Sequence, residues 1–113
     1  MPLTAADAAR VHRRRVGPRR PGAVYQDTRG VPYRVDAVLY GPAARAALGH
    51  PMSWAVTVTG PDGRQRTHCT PWDSRRERPR PDLCPACLGP RHRPGPACPA
   101  RSGTVARPPS RTL

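Results

Sequence analysis

The chain has 113 residues, of which 36% are apolar and 17 are proline, and its formal net charge is +13. A chain of this size forms one small domain at most. Its apolar content excludes a large core, so a metal, disulfides or a partner is expected to staple it. All 20 cations are arginine, and no stretch is long and apolar enough to span a membrane.

Residues 1–22 read as a basic, largely disordered arm. Thr4 followed by Asp7 marks a helix start, because the hydroxyl caps a free N–H and the acid sits near the positive helix end. A short helix over residues 5–15 would bury mostly alanine. No apolar leader precedes Arg13, Arg14 and Arg15, which predicts a cytoplasmic protein with reduced thiols. Arg19 and Arg20 extend the run between Pro18 and Pro21. Guanidinium groups grip phosphate bidentately, so Arg13, Arg14, Arg15, Arg19 and Arg20 are candidate contacts to DNA or RNA.

Residues 23–72 are expected to form a small α+β domain. Asp27-Thr28-Arg29-Gly30 is a turn between two strands. Beyond it, Tyr33, Val35, Ala37 and Leu39 alternate with Arg34, Asp36 and Val38, which is strand periodicity. Gly41-Pro42 opens a short helix that Gly49 ends. Trp54, Val56 and Val58 then alternate with Ala55, Thr57 and Thr59 on the clearest strand of the chain. Gly60-Pro61-Asp62-Gly63 turns it back on residues 64–70. A bulge at Gly63 sets Val56 opposite His68; a loop longer by one would set Trp54 opposite Cys69. The turn residues favour the bulge. Tyr25, Tyr33 and Tyr40 suit the edge of a small core better than a base-stacking platform.

Residues 73–83 read as an extended, solvated Arg/Pro linker in which Arg75, Arg76, Arg78 and Arg80 offer further phosphate contacts. All four cysteines lie between residues 69 and 98. Cys84 and Cys87 have the C-x2-C spacing that presents two thiolates to one zinc ion. Two ligand sets complete a tetrahedron. One adds Cys69 and Cys98, tying the segment back to the last strand; the other replaces Cys69 with His92.

The run Cys84-Pro85-Ala86-Cys87, His92 and Cys98 resembles a CCHC zinc knuckle, with a last gap one residue longer than the family's four. The resemblance covers residues 84–98 and implies that Cys84, Cys87, His92 and Cys98 ligate Zn2+. The loop holds no aromatic residue to stack a base, so the resemblance bears on metal binding more than on strand recognition. Residues 99–113 read as a disordered tail.

Catalytic signatures are missing. No H-x-E accompanies the C-x2-C, which excludes the zinc deaminase pattern, and the single glutamate, Glu77, sits among arginines. The sequence therefore predicts an α+β fold of two hairpins and a connecting helix, with a zinc-stapled C-terminal segment and disordered basic termini. The function expected of it is that of a non-enzymatic, nucleic-acid-associated accessory or regulatory protein. The alternative is an adaptor whose Arg/Pro-rich segments bind an acidic protein.

Overall fold

The computed structural model describes residues 4–49 and 51–90. His92, Cys98 and the tail 99–113 lie outside them. The fold is α+β. One five-stranded antiparallel sheet has the order β4-β3-β2-β1-β5, from β1 (Val24–Gln26), β2 (Pro32–Tyr40), β3 (Trp54–Thr59), β4 (Gln65–His68) and β5 (Arg78–Pro79). Helix α1 (Ala5–Val16) packs on β2 and β3, and α2 (Gly41–Leu48) connects those two strands.

Both hairpin turns form where the sequence places them. The Asp27 carboxylate accepts from the N–H groups of Arg29 and Val31, and Gly30 closes the turn at φ +83°. In the second hairpin Gly63 sits at φ +77° and Val56 faces His68, the register expected of the bulged turn. Pro42 begins α2, and Gly49 ends it in the left-handed region.

The strand β2 differs from its apparent alternation. Its register against β3 shifts between Val35 and Ala37, so Asp36 is an extra, bulged residue. One inserted residue exchanges the two faces of the strand. Val38 and Tyr40 therefore join Tyr33 and Val35 in the main core, where the sequence pattern placed Ala37 and Leu39. A polar network holds the bulge. The Asp36 carboxylate accepts from Arg34 Nε (2.6 Å), the Thr59 hydroxyl (2.5 Å) and Gln65 Nε2 (3.1 Å). Burial opposes its charge, but these hydrogen bonds prevail and hold its pKa below the ordinary carboxylate value.

That core gathers Val16, Tyr25, Tyr33, Val35, Trp54, Val56 and Val58 on one face of the sheet. Helix α1 closes it with the stripe Ala8, His12 and Val16, at i, i+4 and i+8. Only Val16 in that stripe is a large apolar residue. The helix is thus docked rather than free, although its sequence offers little apolar surface. His12 makes up part of the difference, with its ring 6.2 Å from that of Trp54. Burial, and then the charge of Arg15, lowers the His12 pKa. On the opposite face Val24, Leu83 and Leu88 form a second, smaller cluster beneath β1.

The Arg/Pro stretch after Pro71 also departs from an extended, solvated linker. Its first turn closes on itself. Glu77 N–H donates to the Asp73 carbonyl (2.7 Å), and Asp73 N–H donates to Glu77 Oε1 (2.9 Å). Arg78–Pro79 then pairs with β1 as an edge strand, a position where a proline takes no donor away from the sheet. Acidic residues supply what composition hides: two carboxylates satisfy the turn, and charge alone reads as solvation.

Candidate functional site

Two arginine runs lie far apart in the sequence, and the fold fastens one to the other. Trp72 N–H donates to the Arg15 carbonyl at 2.7 Å, at the C-terminal end of α1. Arg19 reinforces the join by donating from Nη2 to the carbonyls of Arg15 (2.7 Å) and Thr70 (2.9 Å), and from Nε to that of Val16 (2.8 Å). Its guanidinium lies 5.8 Å from the ring centres of both Trp54 and Trp72. Tyr25 fixes the connecting segment: its hydroxyl donates to the Pro18 carbonyl and accepts from Arg20 N–H.

The candidate phosphate contacts consequently separate into two groups. Arg13, Arg14, Arg15, Arg20, Arg75, Arg76 and Arg78 are exposed, and none has an acidic partner among the described residues. Arg19 is only 4% exposed and its donors serve backbone carbonyls. Arg80 forms a two-pronged pair with Asp82 and donates to Gln26 Oε1 (2.6 Å). The side chain that holds the site together was thus indistinguishable, in sequence, from those that face outward.

Beside this join opens a cleft of about 350 Å3. Arg19 contributes from just after the first arginine run, Glu77 from within the second, Tyr33 from β2 and His68 from β4, with Val58 as an apolar wall. Glu77 is 9% exposed, and the Tyr33 hydroxyl donates to its Oε2 at 3.2 Å. Burial pushes the Tyr33 pKa well up, and the adjacent Glu77 carboxylate adds to the shift. The His68 pKa is lowered, first by burial and then by Arg19 and Arg66, which favours the neutral ring. Thr70 N–H donates to its Nδ1 (3.1 Å), so the neutral ring carries its proton on Nε2. No sequence pattern links Tyr33, His68 and Glu77, which are 35 and 9 positions apart. The one signal for the group was a lone glutamate within an arginine run.

No family model, curated protein or solved structure matches this chain. Among the described residues no helix is long and apolar enough to cross a membrane.

The cysteines occupy two places. Cys69 follows β4 and packs against the main core. Cys84 and Cys87 bracket a tight turn on the other face, beside the Val24–Leu83–Leu88 cluster. Leu88 N–H donates to the Cys84 carbonyl and Cys84 N–H to the Gly89 carbonyl, both at 2.7 Å, with Leu88 at φ +62°. Leu83 bridges Pro90 across the turn, and Arg34 Nη1 donates to the Pro85 carbonyl (3.0 Å). Among the described residues no group of three His, Cys, Asp or Glu side chains is placed to hold a metal ion. The other proposed ligands, His92 and Cys98, lie outside the described residues.

Proposed function

We propose that this chain is a small basic accessory or regulatory protein that associates with nucleic acid through phosphate contacts. The observation that supports it best is the Trp72–Arg15 hydrogen bond, which joins an arginine run at the end of α1 to a second run beginning three residues after Trp72. A polyanion that follows both runs releases its counterions on binding. With roughly five phosphates neutralised, affinity is expected to fall by about 10²–10³ between about 50 mM and about 200 mM salt. Removing Arg75, Arg76 and Arg78 together should lower the log–log salt slope by about 2–3. Filter binding or fluorescence anisotropy with DNA and RNA measures both. Affinity that stays flat with salt would remove the phosphate reading and leave the adaptor for an acidic protein.

Zinc belongs to the same proposal. The closed turn at Cys84 and Cys87 suits a pair of thiolate ligands, and His92 and Cys98 are the residues we assign to complete the tetrahedron. Bound there, zinc would crosslink the C-terminal segment and stabilise it, without a catalytic role. Native mass spectrometry of the full chain is expected to show one zinc that a chelator removes. Replacing Cys69 with serine should leave that zinc in place. Its loss on that replacement would restore Cys69 as the fourth ligand, and a protein purified without metal would remove the site altogether.

A further inference from the structure

The cleft beside the joined arginine runs has a chemistry that phosphate contacts do not use. Asp27 and Glu77 line the cleft together with three arginines, so a phosphate that approaches those arginines also meets two carboxylates. A metal cation is disfavoured by Arg19, Arg29 and Arg66, which also line the cleft. What fits is a largely neutral group carrying hydrogen-bond donors, with an apolar face for Val58. An ionised carboxylate has about four acceptor positions, and the Tyr33 hydroxyl and Asp73 N–H occupy two of the four on Glu77. His68 holds a donor at Nε2, because its Nδ1 accepts from Thr70. The cleft's ≈ 350 Å3 lies near the lower end of the range for small-molecule pockets, about 300–1,000 Å3, a scale suited to a single nucleoside.

We propose that this cleft takes one unpaired base of a single strand, and that the Glu77 carboxylate reads its donor edge and so selects guanine. Guanine alone presents two adjacent donors, N1–H and N2–H2, which match the two oxygens of a carboxylate, and its O6 is an acceptor for His68 Nε2–H. Adenine and cytosine set one amino donor beside a ring nitrogen acceptor that a carboxylate repels. Single-stranded recognition proceeds through such edges once the base leaves its stack. The flanking phosphates would run over Arg13–Arg15 on one side and Arg75–Arg78 on the other. The proposal rests on the nucleic-acid reading for the source of the base, while its selectivity rests on Glu77.

The test titrates the full chain with GMP, AMP and inorganic phosphate by calorimetry, and then with two short RNAs that differ by one G-to-A change. GMP and the G-containing RNA are expected to bind about ten- to hundredfold more tightly than their A counterparts, the discrimination of one good bidentate pair. Glu77→Gln keeps the size of the side chain but exchanges one acceptor for a donor, and it should abolish the preference while circular dichroism remains unchanged. The wild-type comparison decides the matter even if that variant does not fold. Equal binding of GMP and AMP, or binding of neither at about millimolar concentration, overturns base recognition. If steep salt dependence persists in that case, phosphate contact survives alone; if it is lost too, the nucleic-acid reading fails with it.

Discussion

Replacing Arg19 with methionine is expected to destabilise the fold by about 3–5 kcal/mol, because hydrogen bonds from a charged group contribute about 1.5–3 kcal/mol each and Arg19 makes three. The length of the side chain is nearly kept, so the effect comes from the guanidinium. Its donors serve the carbonyls of Arg15, Val16 and Thr70. The buried Val16 carbonyl would lose the Nε donor, at about 1–3 kcal/mol, while the Arg15 carbonyl keeps Trp72 N–H. The methionine would also remove the cation between Trp54 and Trp72 and leave Glu77 with less positive charge nearby. A small domain has only about 5–15 kcal/mol in total, so the variant should melt at a much lower temperature or fail to fold. Arg19→Lys is expected to recover little, since an ammonium lacks the fork that reaches several carbonyls at once. Urea denaturation measures both variants. A loss below about 1 kcal/mol for the methionine variant would show that Arg19 is an ordinary basic residue of the arm.

The distinction matters because Arg19 and Arg20 are adjacent and alike in sequence. One points its charge at backbone carbonyls, and the other is exposed. Nothing local separates them. The difference is made by Thr70, 51 residues away, and by two tryptophans from different segments. Features set by neighbouring residues were legible: Asp27 and Gly30 give the first turn, Gly63 gives the second, and Pro42 with Gly49 bounds α2. Features set by distant partners were not. Asp36 bulges out of β2 because Thr59 and Gln65 donate to it from the next two strands, and the bulge reverses the faces of everything after it. An alternation count within β2 sees none of this.

The same reasoning explains the candidate site. The arginine runs are legible as charge, because composition and clustering show it directly. The cleft is not, because Tyr33, His68 and Glu77 come from three segments whose proximity depends on the sheet order. β5 lies beside β1, at the edge opposite β4, so the turn before β5 brings Glu77 over the face that Tyr33 and His68 share with the main core. The C-x2-C spacing predicted a turn, and the hydrogen bonds between Cys84, Leu88 and Gly89 close one. Spacing says nothing about which face of the sheet that turn occupies. Cys69 packs against the main core, while the turn begins beside Leu83 of the smaller cluster.

Gly17→Ala is the second substitution from which a large loss is expected, about 3 kcal/mol, combining backbone strain of about 1–3 kcal/mol with overpacking of similar size. Gly17 caps α1 with φ +65° and ψ −143°, a region that side-chain-bearing residues avoid. An added Cβ would also stand 2.5 Å from Trp72 Cγ and 2.7 Å from Trp72 Cβ. Trp72 cannot retreat cheaply, because its N–H is bonded to Arg15 and its ring packs edge-on against Tyr25, 5.6 Å between centres. The close approach of Gly17 and Trp72 is therefore what lets the two arginine runs meet. In a Trp72→Gly background, which removes Cβ as well as the ring, the added methyl group meets none of those Trp72 atoms, and the backbone strain is what remains. A double-mutant cycle by urea denaturation should then show a coupling of about 1–2 kcal/mol between positions 17 and 72. Nucleic-acid affinity should fall in the folded fraction of Gly17→Ala as well, though every exposed arginine is retained. An unchanged cost of Gly17→Ala in both backgrounds would assign its whole effect to φ. The contact with Trp72 would then play no part in aligning the runs.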